Sequence, residues 1–230
     1  MIAAVVNAVA ILIGAALGCL LGSRLKQRFS DTIMNALALC VCVIGLMSAL
    51  KAEDMLMVII CVALGAVIGE AFNTENGIEK LGDKLKNKLA GGAGFTQGFV
   101  TASLVYCVGS LAIMGSIEAG INNDYTLIFS KSVLDGVGAI VFASAYGVGV
   151  ALSAVPVLIY QGLITLFASS LSGVSTEAMM VGISAVGGVL VFGIGVKMLG
   201  VKSIRVGNML PAVFLPLAYI PIAELLASLF

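Results

Sequence analysis

Residues 131–172 read KSVLDGVGAIVFASAYGVGVALSAVPVLIYQGLITLFASSLS, with no charge after Lys131 and Asp135. As one helix this stretch would be roughly 60 Å long at 1.5 Å per residue, twice the thickness of a bilayer core. Only the turn around Ser153, Ala154 and Pro156 divides it. It is therefore expected to form two spans, 131–152 and 155–172, folded as a tight hairpin. Outward from the hairpin, further apolar blocks lie at about 1–22, 31–50, 54–72, 95–118, 178–197 and 207–229. At about 20 apolar residues per crossing, the chain supplies about eight transmembrane helices.

Composition agrees. Of 230 residues, 60% are hydrophobic and 10% charged, and the mean hydropathy is +1.16. Twelve basic and 12 acidic residues cannot cover the surface of a water-soluble fold of this size. The solvent is lipid, and the bilayer is the first partner. Zero net charge argues against nucleic acid, whose phosphates require a dense basic surface. With no His, Ser–His hydrolysis, His-ligated zinc and His-ligated haem are excluded. Cys19, Cys40, Cys42, Cys61 and Cys107 all sit in apolar stretches without a paired CxxC. They read as packing residues, so neither a metal nor a cofactor is expected.

Lys and Arg set the orientation. With the N-terminus outside, Arg24, Lys26, Arg28, Lys80, Lys84, Lys86, Lys88, Lys197, Lys202 and Arg205 fall on the cytoplasmic side, leaving only Lys51 and Lys131 outside. Both termini are thus expected outside. Residues 1–22 lack the basic n-region of a signal peptide and are read as the first span. Ile78, Leu81, Leu85 and Leu89 recur at helical spacing among lysines, which predicts a cytoplasmic amphipathic helix over 76–90, either against anionic headgroups or solvated. The run Gly91-Gly92-Ala93-Gly94 follows as a joint.

One transmembrane domain, 1–230, is expected, with an internal repeat. The segment from Ile11 to Leu25 lies on that from Val157 to Leu171 at an offset of 146, and the match continues loosely to Gly45 on Gly193. Repeats 1–75 and 155–230 would pair spans one to three with spans six to eight. Five spans apart, they would run in opposite directions, as in inverted-repeat transporters.

Charges within spans are costly and mark pathways or pairs. Lys131 and Asp135, four apart on one helix face, can neutralise each other. Glu118 near the same depth would make a cluster of one base and two acids, which suits a cation or proton. Structural pairing is the alternative. Ser110, Ser116, Gln161 and Asn208 are the expected lining of a path. Gly109 is an expected helix break, and Pro211, Pro216 and Pro221 should bend the last span. Gly14, Gly18 and Gly22 form a ridge for close helix approach, within one subunit or across a homo-oligomer. No GxxxxGK[ST] loop is present, and Leu134-Asp135-Gly136-Val137-Gly138 is not the GxGD arrangement of intramembrane aspartyl proteases. No enzymatic activity is expected.

Four segments carry a resemblance: Gly115-Ser116-Ile117-Glu118-Ala119-Gly120, Lys131-Ser132-Val133-Leu134-Asp135-Gly136, Ser153-Ala154-Val155-Pro156 through Gly162, and Gly207-Asn208-Met209-Leu210-Pro211. On these the sequence resembles the bacterial integral membrane family of unknown function 554, the YqgA/YdfK-like proteins. The resemblance implies a bacterial inner-membrane protein and supplies no activity or site residues. The expectation is an all-α polytopic membrane protein of about eight helices, with inverted three-helix repeats around a central pair. It would move a small solute or cation, as transporter or channel. A non-transporting scaffold or assembly protein is the alternative.

Overall fold

The computed structural model describes residues 1–22, 27–88, 92, 94–107, 110–168 and 177–227. Among them every regular element is helical. In chain order these are α1 (Ile2–Gly22), α2 (Gln27–Ala49), α3 (Met55–Phe72), α4 (Thr74–Lys88), α5 (Phe95–Cys107), α6 (Ser110–Ile121), α7 (Thr126–Tyr146), α8 (Ala154–Leu166), α9 (Glu177–Met198) and α10 (Pro216–Ala227). Two 3-10 segments, Gly147–Ser153 and Val206–Phe214, precede α8 and α10.

Five helical stretches are long and apolar enough to cross a membrane. Two bent pairs raise the number to seven: α5 with α6, at 58°, and the second 3-10 segment with α10, at 41°. That number takes residues 126–166 as one 41-residue stretch. The side chains refute a straight rod. Asn7 Nδ2 donates both to Asp135 Oδ2 at 2.9 Å and to Gln161 Oε1 at 3.1 Å, whereas a continuous helix would hold residues 135 and 161 about 39 Å apart. The chain therefore doubles back through the 3-10 segment, whose Gly149 lies against the backbone of Phe95.

Small residues set the seams. A Cβ on Gly14 would fall on the Gly136 carbonyl oxygen, one on Gly18 on that of Ile140, and one on Gly22 on that of Ser144. Numbers rise together along this seam, so α1 and α7 run parallel, with the glycine ridge spent inside the subunit. In α2 and α9 the order is reversed: Ala49 and Gly45 meet Gly188, and Cys42 and Ala38 meet Gly195. Gly65 and Gly69 of α3 likewise admit Ala212 and Asn208 of the second 3-10 segment, antiparallel. Leu12, Ile13, Val133, Leu134, Val137, Ile159 and Leu163 are exposed, as lipid contact requires.

Several boundaries differ from the sequence expectation. The fifth span begins at Thr126, not 131, because the Asp124 carboxylate accepts from the Thr126 amide and Ser130 Oγ from within the first turn donates to the Thr126 carbonyl. The expected single span 95–118 is two helices at 58°. The amphipathic helix starts at Thr74, immediately after Asn73 closes α3 in the left-handed conformation (φ 52°). Gly109, part of the Gly91–Gly94 joint, and residues 169–176 lie outside the described residues.

Candidate functional site

Lys131, Asp135, Asn7 and Gln161 meet inside the helix bundle, near the ends of α1 and α7 that carry their N-termini. Counted from those ends, the cluster lies about 7–14 Å deep. Asn7 and Gln161 are fully buried, and Lys131 and Asp135 are 5% and 7% exposed. Lys131 pairs with Asp135 across one helical turn, and the same Asp135 oxygen accepts from Asn7. The Asn7 amide also reaches the Gln161 carbonyl oxygen. Three helices are thus joined by one polar network: α1, α7 and α8.

That network is incomplete. Among the described residues, Asn7 Oδ1, Gln161 Nε2 and the Tyr106 hydroxyl are buried without a hydrogen-bond partner. Each such group costs about 1–3 kcal/mol relative to a satisfied one. Tyr106 on α5 stands beside Gly138, one turn along α7 from Asp135, with its ring edge-on to Phe142 at 6.1 Å. Phe142 in turn stacks on Tyr146 at 6.5 Å, and the Tyr146 hydroxyl accepts from Gln97. Gln97, Thr101 and Leu104 of α5 line a cavity of about 590 Å³ opening beside α4. Its rim carries Glu75, Glu79, Asp83, Lys86, Lys197 and Lys202.

A second polar group closes the α4 face. Asn208 Oδ1 accepts from the Glu75 amide at 2.7 Å and from the Thr74 hydroxyl at 3.2 Å, while Nδ2 donates to Glu70 at 2.5 Å. Arg205 pairs with Glu70 and Lys197 with Glu75. These contacts pin the start of α4 to the second 3-10 segment and to the end of α9.

Of the residues singled out in the sequence, the fold brings together Lys131, Asp135 and Gln161. Glu118 does not join them: its carboxylate accepts from Asn122 at 2.7 Å, and Lys131 makes its ion pair with Asp135. Ser116 is buried, its hydroxyl spent on the Ala112 carbonyl within α6. The Ser110 side chain lies outside the described residues. Asn208 belongs to the α4 face. Pro211 sits within the second 3-10 segment, Pro216 opens α10 and Pro221 lies inside it. Sequence reasoning missed Asn7, although a lone amide in an apolar span was the available signal. Tyr106 was not singled out, because only the packing of α5 against α7 brings it beside Gly138.

Across residues 2–220 the sequence matches the family described as protein of unknown function (DUF554). The chain belongs to that family. Two relatives share 31% identity with it: the uncharacterized membrane protein YdfK of Bacillus subtilis (strain 168), over 83% of each chain, and the uncharacterized protein YqgA of Escherichia coli (strain K12), over 81% of this chain and 82% of YqgA. No solved structure matches it. This DUF554 member is an all-helical membrane protein by family, composition and fold.

Proposed function

We propose that this protein moves a small solute across the bacterial inner membrane, by alternating access around the Asn7–Lys131–Asp135–Gln161 cluster. The observation that carries the proposal is the incomplete network itself: charged and amide side chains, buried at membrane depth, with donors and an acceptor left over. Lipid offers such groups no partner, so their retention calls for a visiting polar ligand.

The inverted repeat expected from the sequence would suit this mechanism, and the antiparallel packing of α2 on α9 and of α3 on the second 3-10 segment is compatible with it. With 126–166 counted as a hairpin, we read eight crossings, both termini outside and the basic α4 face in the cytoplasm. No chemistry beyond passage of the solute is assigned.

A scaffold reading is favoured by one feature, the complete internal neutralisation of Lys131 by Asp135. Flux through proteoliposomes separates the two. Saturable solute entry, lost in Gln161→Leu while the fold persists, supports transport; no flux for any solute, with Gln161→Leu merely less stable, leaves the scaffold.

A further inference from the structure

We propose that the cluster takes up a proton together with a small monovalent anion, of the monocarboxylate class, and carries them as one neutral load. This rests on the transport reading and names its substrate. The sequence suggested a surplus of acid, and hence a cation. The fold removes that surplus, because Glu118 turns to Asn122 and leaves Lys131 and Asp135 as a balanced pair.

What the cluster holds in surplus is donors. Lys131 has three N–H groups and directs one at Asp135. Gln161 Nε2 has two, both unpartnered, and the Tyr106 hydroxyl adds another. Against them stands one unpartnered acceptor, Asn7 Oδ1, on the amide that already donates to Asp135. When Asp135 takes a proton, its new O–H can donate to that oxygen. Lys131 then loses its counter-charge and, with Gln161 and Tyr106, presents donors to an anion.

Charge balance makes the loading paired. A proton alone leaves the cluster at +1, an anion alone at −1, and either isolated charge at this depth costs several kcal/mol. Proton and anion together restore zero. On release the proton leaves Asp135, the anion leaves Lys131, and the ion pair re-forms. One positive and one negative charge cross together. The groups facing Asp135 are Lys131 on its own helix, Asn7 on α1, Gln161 on α8, and Tyr106 and Cys107 on α5; on α6, Glu118 is engaged with Asn122.

The test uses the purified full chain in liposomes loaded with the pH dye pyranine, with inward gradients of L-lactate and of nitrate at equal pH. The lumen should acidify faster than in protein-free vesicles, at a rate unchanged by valinomycin in symmetric K⁺. Asp135→Asn, which mimics the protonated acid, should lose acidification but keep exchange of labelled lactate for lactate. Lys131→Gln should lose both. Flux that valinomycin accelerates overturns the neutral coupling. Acidification with nitrate but not lactate, or entry of Na⁺, K⁺ or a neutral sugar without response to lactate, overturns the monocarboxylate assignment and leaves transport standing. Silence toward every solute, from protein with native helical circular dichroism, overturns both.

Discussion

Removing Lys131 alone should damage the protein more than removing Lys131 and Asp135 together. In Lys131→Met, the Asp135 carboxylate, 7% exposed in the native chain, keeps Asn7 as its one side-chain donor among the described residues. Stranding one partner of a buried pair costs about 3–5 kcal/mol. Asp135→Leu strands Lys131 and also frees an Asn7 N–H, so its cost should be at least as large. In Lys131→Met with Asp135→Leu no charge is left, and the main loss is that N–H, about 1–3 kcal/mol. The double variant should therefore be more stable than either single one, a coupling of at least about 2 kcal/mol. Reversible unfolding in mixed dodecylmaltoside–SDS micelles, followed by circular dichroism, measures it. Lactate-driven acidification should remain absent in the double variant despite its recovered stability. Additive losses would refute the claim that the pair is desolvated, and recovered transport would show the pair to be structural.

Gly18→Val drives a side chain into the Ile140 carbonyl and Ala143 and should cost about 1–3 kcal/mol in the same unfolding assay, whereas Gly77→Ala, with nothing within 4 Å, should be neutral or stabilising by up to about 1 kcal/mol. Asn208→Ala removes the acceptor of the Glu75 amide and one acceptor of the Thr74 hydroxyl, which keeps the Gly207 carbonyl; trypsin should then cut more rapidly at Lys80, Lys84 and Lys88 in α4, while an unchanged digestion rate would refute the pinning role. Cysteines placed at Asn122 and Gly77, both exposed, should react with a membrane-impermeant maleimide from opposite sides of the membrane, Asn122→Cys in intact cells and Gly77→Cys only after lysis. Hydrogen bonds from the Thr126 hydroxyl and amide hold the Asp124 carboxyl below its usual range. The stabilisation it lends to the start of α7 is present above the ordinary carboxylate pKa and lost as pH falls through the depressed value, so protection of the Thr126 amide, measured against its intrinsic exchange rate at each pH, should be lost only in acid.

The membrane environment and the reversal within 131–172 were legible in the chain, because hydropathy and length alone decide how much of it can enter lipid. The pairing of Lys131 with Asp135 was legible for a similar reason: four residues on a helix share a face. Contacts between helices carry no such local signature. Asn7 stands 128 residues from Asp135, and no periodicity in either helix announces their meeting. Glu118 shows the converse: depth along a span suggested the cluster, but its carboxylate takes a local partner one turn on, Asn122, while Lys131 pairs with Asp135. The glycine ridge of α1 declared close packing but not its partner, which only the parallel approach of α7 decided. Sequence determined what must be buried in lipid and what must be paired; tertiary structure decided with which partner, because that choice depends on how whole helices are turned and crossed.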